Sequence, residues 1–362
     1  MQLGISSFGE IDPAHVSGHD TRAAQRMQEL LALARRADEV GLDVLALGEH
    51  HRADFIISAP EVILAAVAAV TQRIRLSSAV TVLSSADPVR VFQNFATVDL
   101  ISGGRAEILA GRGSFIESYP LFGYDLNDYD ELFIEKLTLL LKINESEVVS
   151  WQGKHRAALA GQGVYPRPVQ SKIPVWIGIG GTPASAVRAG KLGLPLTIAV
   201  LGGAPARYVP FAELYRESAQ QAGHDAAQLP LCLNCHFHVA ETSQQAADAF
   251  FPPYAQLMNR IGRERGWSPM DRRHFDFLRG PEGPLFVGTP AEITEKLLNL
   301  HSLFQNTRFL GQLVLEGISH QSVLQSVELF GTEVAPAVRA ALGIAQEAVA
   351  AVSHQAAAPQ QP

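Results

Sequence analysis

One pattern constrains the fold of this chain more than any other: short apolar runs alternate with segments of helical period along most of its length. The runs fall at residues 3–8, 42–48 (LDVLALG), 74–83 (IRLSSAVTVL), 105–111 (RAEILAG), 173–180 (IPVWIGIG), 194–200 (LPLTIAV), 229–240 (LPLCLNCHFHVA) and 309–317 (FLGQLVLEG). Each has strand length, and several are rich in Val, Ile and Leu on consecutive positions, as strands buried on both faces are. Between them, residues 21–41 carry an apolar stripe through Met27, Leu30, Leu31, Ala34 and Ala37, closed by Gly41. Further helices are predicted from about Pro60 to Thr71, over 87–102 with Asp87 as cap and Pro88 in the first turn, and from Asp128 to Ile143. Shorter ones should start near Pro183 and His320. Eight such strands predict an α/β protein, a (β/α)8 TIM barrel, rather than an open doubly wound sheet. Two connections, 112–172 and 239–308, exceed what a plain barrel needs, so long insertions are expected after strands 4 and 7. Residues 1–345 read as a single barrel domain, and the Ala/Gln/Pro-rich stretch 346–362 as a frayed tail.

Composition narrows the partners. Among 362 residues, 47% are hydrophobic and only 18% charged, against roughly 25% charged in average usage, so a large buried core is expected. A net charge of −7 argues against nucleic acid, which selects a basic footprint. The apolar runs are too short for a membrane span, and the first residues, MQLGISSFGEIDP, lack the pattern of a secretory signal, so a cytoplasmic protein is expected. Cys232 and Cys235 spell C-x-x-C-H, but inside a strand positions i and i+3 face opposite sides. They read as core cysteines.

In a barrel of this kind the C-terminal strand ends form the working face, and four clusters fall there. Glu49-His50-His51-Arg52 follows strand 2. Read alone it admits a hydrogen-bonded rim, acid–base or ligand-binding work, or a metal. Zinc suits it least, because adjacent histidines cannot copy the i, i+4 facing of H-E-x-x-H. After strand 4, LAGRGSF places Arg112 between two glycines, which suits a phosphate or a plain turn. After strand 5, GIGGTPAS frees the backbone at Gly180 and Gly181 and offers Thr182 and Pro183 to start a helix, a ready anion site that also reads as a tight structural turn. Small residues crowd the end of strand 3 around Ala79, so either a flat group or a helix passes close. Taken together, the four describe a mononucleotide such as FMN. Its phosphate would lie between Arg112 and the 181–185 turn, its ring over the small residues, and the histidines at its edge.

At this point the chain resembles the luciferase-like flavin-dependent monooxygenases. The resemblance rests on residues 41–55, 74–114 and 175–195, and more weakly on 286–293 and 330–339. It implies a (β/α)8 barrel, commonly a homodimer. It also implies reduced FMN, or F420 in one branch, and O2 activation through a C4a-(hydro)peroxyflavin on a small organic substrate. By the same resemblance, His50 is the catalytic histidine beside the flavin, and Glu49 and His51 beside it are the further catalytic candidates. Arg112 binds the phosphate with Gly180, Gly181, Thr182 and Ser185, and Ala79-Val80 is a non-prolyl cis peptide beneath the ring. One departure stands out. The luciferases proper carry a reactive thiol in the fourth-strand motif, and here the stretch reads Leu109-Ala110-Gly111-Arg112, so light emission is not implied.

The expected function is therefore an FMN-dependent monooxygenase fed by a separate flavin reductase, since no nicotinamide-binding unit is evident. The alternatives are an F420-dependent oxidoreductase and a weakly catalytic flavin-binding homologue. A resident metal is not expected. The substrate pocket is expected to be lined by the two insertions, with Phe115, Phe122, Tyr124, Phe275 and Phe277 as apolar walls.

Overall fold

A computed structural model of the chain describes residues 1–15 and 21–343. The tail expected from residue 346 onward lies outside the described residues. Eight parallel strands close on themselves: β1 (Gln2–Ser7), β2 (Val44–Leu47), β3 (Arg75–Ser78), β4 (Ala106–Gly111), β5 (Val175–Ile179), β6 (Leu196–Ala199), β7 (Leu231–Val239) and β8 (Arg308–Gln312). Closure runs through β6–β7 (Leu196 beside Leu231), β7–β8 (Cys232 beside Arg308) and β8–β1 (Arg308 beside Gln2). With no free edge left, the open doubly wound sheet is excluded.

The expected helices form the outer ring. Arg22–Glu39 buries Leu30, Ala34 and Ala37 and is followed by Gly41 at φ 78°. Pro88–Ser102 starts on Asp87, whose carboxylate accepts from the amides of Val89 and Arg90. Helix Val209–Gln221, between β6 and β7, had no counterpart in the sequence reading. Nearly all the large apolar side chains pack between sheet and helices in one continuous layer. Inside the barrel a small cluster remains: Val44, Ala46, Leu109, Trp176, Cys232 and Leu310. Cys232 points inward and Cys235 outward, both buried and unpaired, as the strand alternation requires.

The barrel's interior changes character along its axis. Its N-terminal end is plugged by charge. Arg308 bonds Glu107 at 2.6 and 3.1 Å and Gln2 at 2.6 and 2.8 Å, lies 4.2 Å over the Trp176 ring, and Arg75 pairs with the same Glu107. The apolar cluster follows, and above it the interior opens into a cavity at the C-terminal end, apolar in most of its lining with a few polar groups. That gradient sets where a ligand can enter.

Two predicted strands differ in detail. The third strand is broken at Ala79-Val80 and resumes as Thr81–Val82 beside β4. The eighth stops at Gln312 instead of running to 317. Both insertions are present, and each adds structure the periodicity did not show. The first, 112–174, carries the expected helix, Tyr129–Glu145, and adds an antiparallel hairpin, Val148–Trp151 with Leu159–Gly163. The second, 240–307, carries the long helix Ser243–Arg265, helix Arg272–Leu278, and strand Phe286–Gly288 laid beside the end of β7. No helix among the described residues is long and apolar enough to cross a membrane.

Candidate active site

The C-terminal strand ends enclose a cavity of about 290 Å³, at the lower end of the usual range for ligand pockets. One wall is the break in β3. The Ala79-Val80 peptide is cis, and the amide of Glu49 donates to the Val80 carbonyl at 3.3 Å, tying the wall to the loop after β2. Val80 lies against Gly111 of β4 and Gly178 of β5. A Cβ on either glycine would stand 2.7 Å from a Val80 methyl, so a flat slot survives only because both positions lack a side chain. Gly180, by contrast, opens onto free space.

Arg112 leaves the end of β4 and crosses to the start of helix Pro183–Lys191. One terminal nitrogen donates to Ser185 Oγ at 3.1 Å and Thr182 Oγ1 at 3.3 Å, and the other pairs with Asp130. The guanidinium lies 4.8 Å over the ring of Tyr129. Thr182 holds the N-cap position with Pro183 at N1, yet its hydroxyl makes no cap bond and turns to Arg112 instead. Gly181 takes φ 116°, a conformation open to glycine, which turns the chain into that helix. Arg112 and the hydroxyls of Thr182 and Ser185 thus gather at one end of the cavity as a cradle of donors suited to an anion. Gly180 and Thr182 line the cavity, and Gly181 and Ser185 stand just behind them.

The opposite wall holds His50. Its imidazole stacks on Phe8 at 4.5 Å between centroids and meets Phe55 and Phe115 edge-on at 4.5 and 4.8 Å. Burial among these rings, reinforced by the charges of Arg52 and His51, pushes its pKa down to about 3. The ring is neutral throughout the physiological range, with one nitrogen able to donate and the other to accept. Over this cage Arg52 lies 4.5 Å from Phe115 and bonds Asp54, Glu117 and Glu264. It links both insertions above His50.

Glu49 and His51 point elsewhere. Glu49 accepts from the Val82 amide at 2.8 Å and pairs with His51 Nε2 at 2.8 Å. It reaches the cavity but spends both oxygens on holding the β3 break and its neighbour. His51 does not line this cavity; it packs edge-on against Phe122 in an adjoining cleft. The three consecutive residues diverge because an extended segment sends neighbouring side chains to opposite sides.

The expected aromatic walls are mostly corrected by the structure. Phe115 reaches the site only through His50, and Phe122 and Tyr124 lie outside the cavity. Phe275 is fully buried against Phe250, Phe251 and Tyr254, and Phe277 is 77% exposed. The side chains that do form the remaining wall come from the strands: Thr197 and Ala199 of β6, Asn234 of β7, Leu310 and Gln312 of β8, together with Phe8, Leu201 and Tyr129. Asn234 donates to Ser6 Oγ at 2.7 Å and to the Leu310 carbonyl at 3.2 Å, while Gln312 Oε1 is buried with no partner. Sequence reasoning missed both; the signal that could have found them is an amide side chain set among apolar residues in each strand, as in LCLNC and FLGQLVL. Asp128, Glu131 and His155 approach within 4.8 Å of one another in the first insertion. There Lys154 already neutralises Glu131 at 2.7 Å, and His155 Nε2 lies 3.3 Å from the same carboxylate, so the group is closed as an ion-pair cluster.

Comparison with known proteins agrees with this geometry. The luciferase-like monooxygenase family model matches residues 1–307. A 4-hydroxyprotoasukamycin monooxygenase of Streptomyces nodosus subsp. asukaensis is 26% identical over 91% of this chain and 91% of its own. A shorter match, 31% identical, spans 41% of this chain and 43% of an uncharacterized protein of Sinorhizobium fredii. In fold, the chain is similar to monooxygenase RslO1 from Streptomyces bottropensis, with TM-score 0.80 and 24% identity over 93% of this chain and 99% of that one. It is also similar to the FMN-bound oxygenating constituent of 3,6-diketocamphane monooxygenase from Pseudomonas putida, with TM-score 0.74 and 21% identity over 93% and 98%. An F420-dependent secondary alcohol dehydrogenase follows at TM-score 0.70 and 18% identity over 93% and 99%. With the barrel and the family match in agreement, the chain belongs to the luciferase-like monooxygenase family.

Proposed function

We propose that this protein is an FMN-dependent monooxygenase that takes reduced FMN from a separate reductase and oxygenates a small, uncharged organic substrate. The observation that carries the reading is one cavity holding both halves of a mononucleotide site. The slot against Ala79-Val80, Gly111 and Gly178 suits a planar ring, and the Arg112–Thr182–Ser185 cradle suits a terminal phosphate. Among the described residues, Arg112 is the one Lys or Arg in the lining, enough for a phosphate monoester and poor in charge for the longer acidic tail of F420. The Pseudomonas putida neighbour is described as an oxygenating constituent in complex with FMN, which supports a two-component arrangement.

Bound and reduced, FMN would supply the two electrons with which O2 gives one oxygen atom to the substrate and the other to water. The chain's own part is positional and electrostatic. Arg112 and the helix start hold the phosphate. His50, kept neutral by Phe8, Phe55 and Phe115, presents one donor and one acceptor at the far edge without adding charge. The apolar walls and the Arg52 clasp keep bulk water from that edge. Glu49 positions the β3 break, and Asn234 and Gln312 give the β7–β8 wall its polarity.

The test is anaerobic titration with FMNH2. Saturable binding is expected, with Arg112→Ala weakening it tenfold or more. O2-dependent turnover should require an added NAD(P)H:flavin reductase. Binding of FMNH2 that ignores the loss of Arg112, or turnover with reduced F420 alone, would overturn the proposal.

A further inference from the structure

The anion cradle is not waiting empty-handed, because a carboxylate of the chain already stands in it. Arg112 divides its two terminal nitrogens. One is spent on the hydroxyls of Ser185 and Thr182, where a phosphate would be cradled, and the other on Asp130. The two partners differ in how firmly they are held. The Arg112 side chain is 17% exposed, and Asp130 is 65% exposed. The surrounding backbone is pinned by two tyrosines: Tyr119 Oη donates to the Arg112 carbonyl and Tyr129 Oη to the Gly113 carbonyl, each at 3.1 Å. Asp130 can therefore swing away by side-chain rotation alone. Once released it stays in the first turn of helix Tyr129–Glu145, where a negative charge is favoured by the helix dipole.

A second cation bears on the same carboxylate. Arg188, on the helix that begins at the cradle, lies 5.6 Å over Phe133 and has a buried Nη1 with no partner. Burial lowers its pKa, and the charges of both Arg112 and Asp130 act on it. Arg188 thus adds a second positive charge near the Arg112–Asp130 pair without bonding the carboxylate.

We propose that Asp130 is a built-in competitor for the cofactor phosphate: it occupies Arg112 when the site is empty and is displaced when the phosphate binds. This rests on the reading of the cradle as a phosphate site and goes beyond it, because it makes cofactor affinity adjustable by a residue outside the cradle. A competing state that must be vacated lowers apparent affinity in proportion to its population. For a half-exposed ion pair the expected penalty is modest, about fivefold. The consequence is a flavin held loosely enough to leave after each turnover, as an enzyme exchanging FMN with a separate reductase requires.

The experiment compares oxidised FMN with riboflavin, which lacks the phosphate, by flavin fluorescence on the wild type, Asp130→Asn, Arg112→Ala and the double variant. Matching circular dichroism and melting curves serve as the fold control. The expected result is a preference for FMN in the wild type and, in Asp130→Asn, about fivefold tighter FMN with slower release and unchanged riboflavin. That gain should vanish once Arg112 is also removed. If Asp130→Asn leaves FMN affinity unchanged or weakens it, the carboxylate orients Arg112 and the competitor role is overturned. The same holds if FMN and riboflavin tighten together, which reports a change in cavity shape. A wild type that binds riboflavin as well as FMN overturns the phosphate site itself, and the competitor falls with it.

Discussion

Lowering the pH from 7 to 5 should unload this fold through three buried imidazoles. His50 sits in its phenyl cage. His236 and His238 follow Cys232 and Asn234 on the inner face of β7, where His236 meets Tyr254 edge-on at 5.2 Å and His238 stacks on Phe250 at 6.0 Å. Burial pushes His50 down to about 3 and the other two to about 4, from an ordinary 6.5. Each therefore binds fewer protons folded than unfolded, so stability falls as pH drops below 6.5. Glu10 has the opposite sign. Its buried carboxyl is pushed up to about 7 and takes a proton in the folded state first, gaining stability over the same descent. Over two pH units each imidazole costs about 2 kcal/mol, about 6 for the three, and Glu10 restores about 2. The net loss is about 4 kcal/mol, a large share of the 5–15 kcal/mol that holds a typical domain together. Urea unfolding at half-unit steps from pH 7 to 5 measures it directly, with an average slope of about 1.5 protons. His236→Phe should remove about one proton from that slope. A wild-type loss under about 1 kcal/mol, or a slope untouched by His236→Phe, would refute the claim that these rings are buried and neutral.

Three further outcomes follow from the geometry. Gly111→Ala puts a methyl where the Val80 methyls already lie, 2.7 Å away, so FMN binding should weaken about tenfold at a stability cost of about 1–3 kcal/mol; intact binding would mean that the slot is not where the ring lies. Because His50 titrates near 3, FMN affinity and turnover should show no limb near pH 6.5 that is lost in His50→Asn, and finding one would place a charged imidazole at the site. Glu107→Ala strands Arg308 and Arg75 at the closed end of the barrel. A loss of about 3–5 kcal/mol is expected in urea unfolding, and a loss below 1 would show that the plug is solvated.

The sequence by itself determined the architecture. Strand and helix periodicity are local properties, and eight buried apolar runs with helical connections leave few ways to hide both faces of every strand other than a closed barrel. It also determined the cradle, because Arg112, Gly181, Thr182 and Ser185 belong to two short loops, and parallel strands bring those loops to the same end. The tertiary structure decided everything that depends on which way a side chain turns. Glu49, His50 and His51 are adjacent in the chain, yet only His50 enters an aromatic cage, and that cage draws Phe8, Phe55 and Phe115 from three separate loops. Phe275 and Phe277 looked alike as candidate walls, but two positions apart on a helix is about 200° of rotation, which puts one in the core and the other in solvent. Asn234 and Gln312 became cavity residues because strand alternation aims them inward at the depth where the apolar plug ends. Asp130 reaches Arg112 across eighteen residues of insertion whose path no periodicity encodes. Local pattern fixes which elements exist; long-range packing, which the chain settles only on closing the barrel, fixes which atoms they present to a ligand.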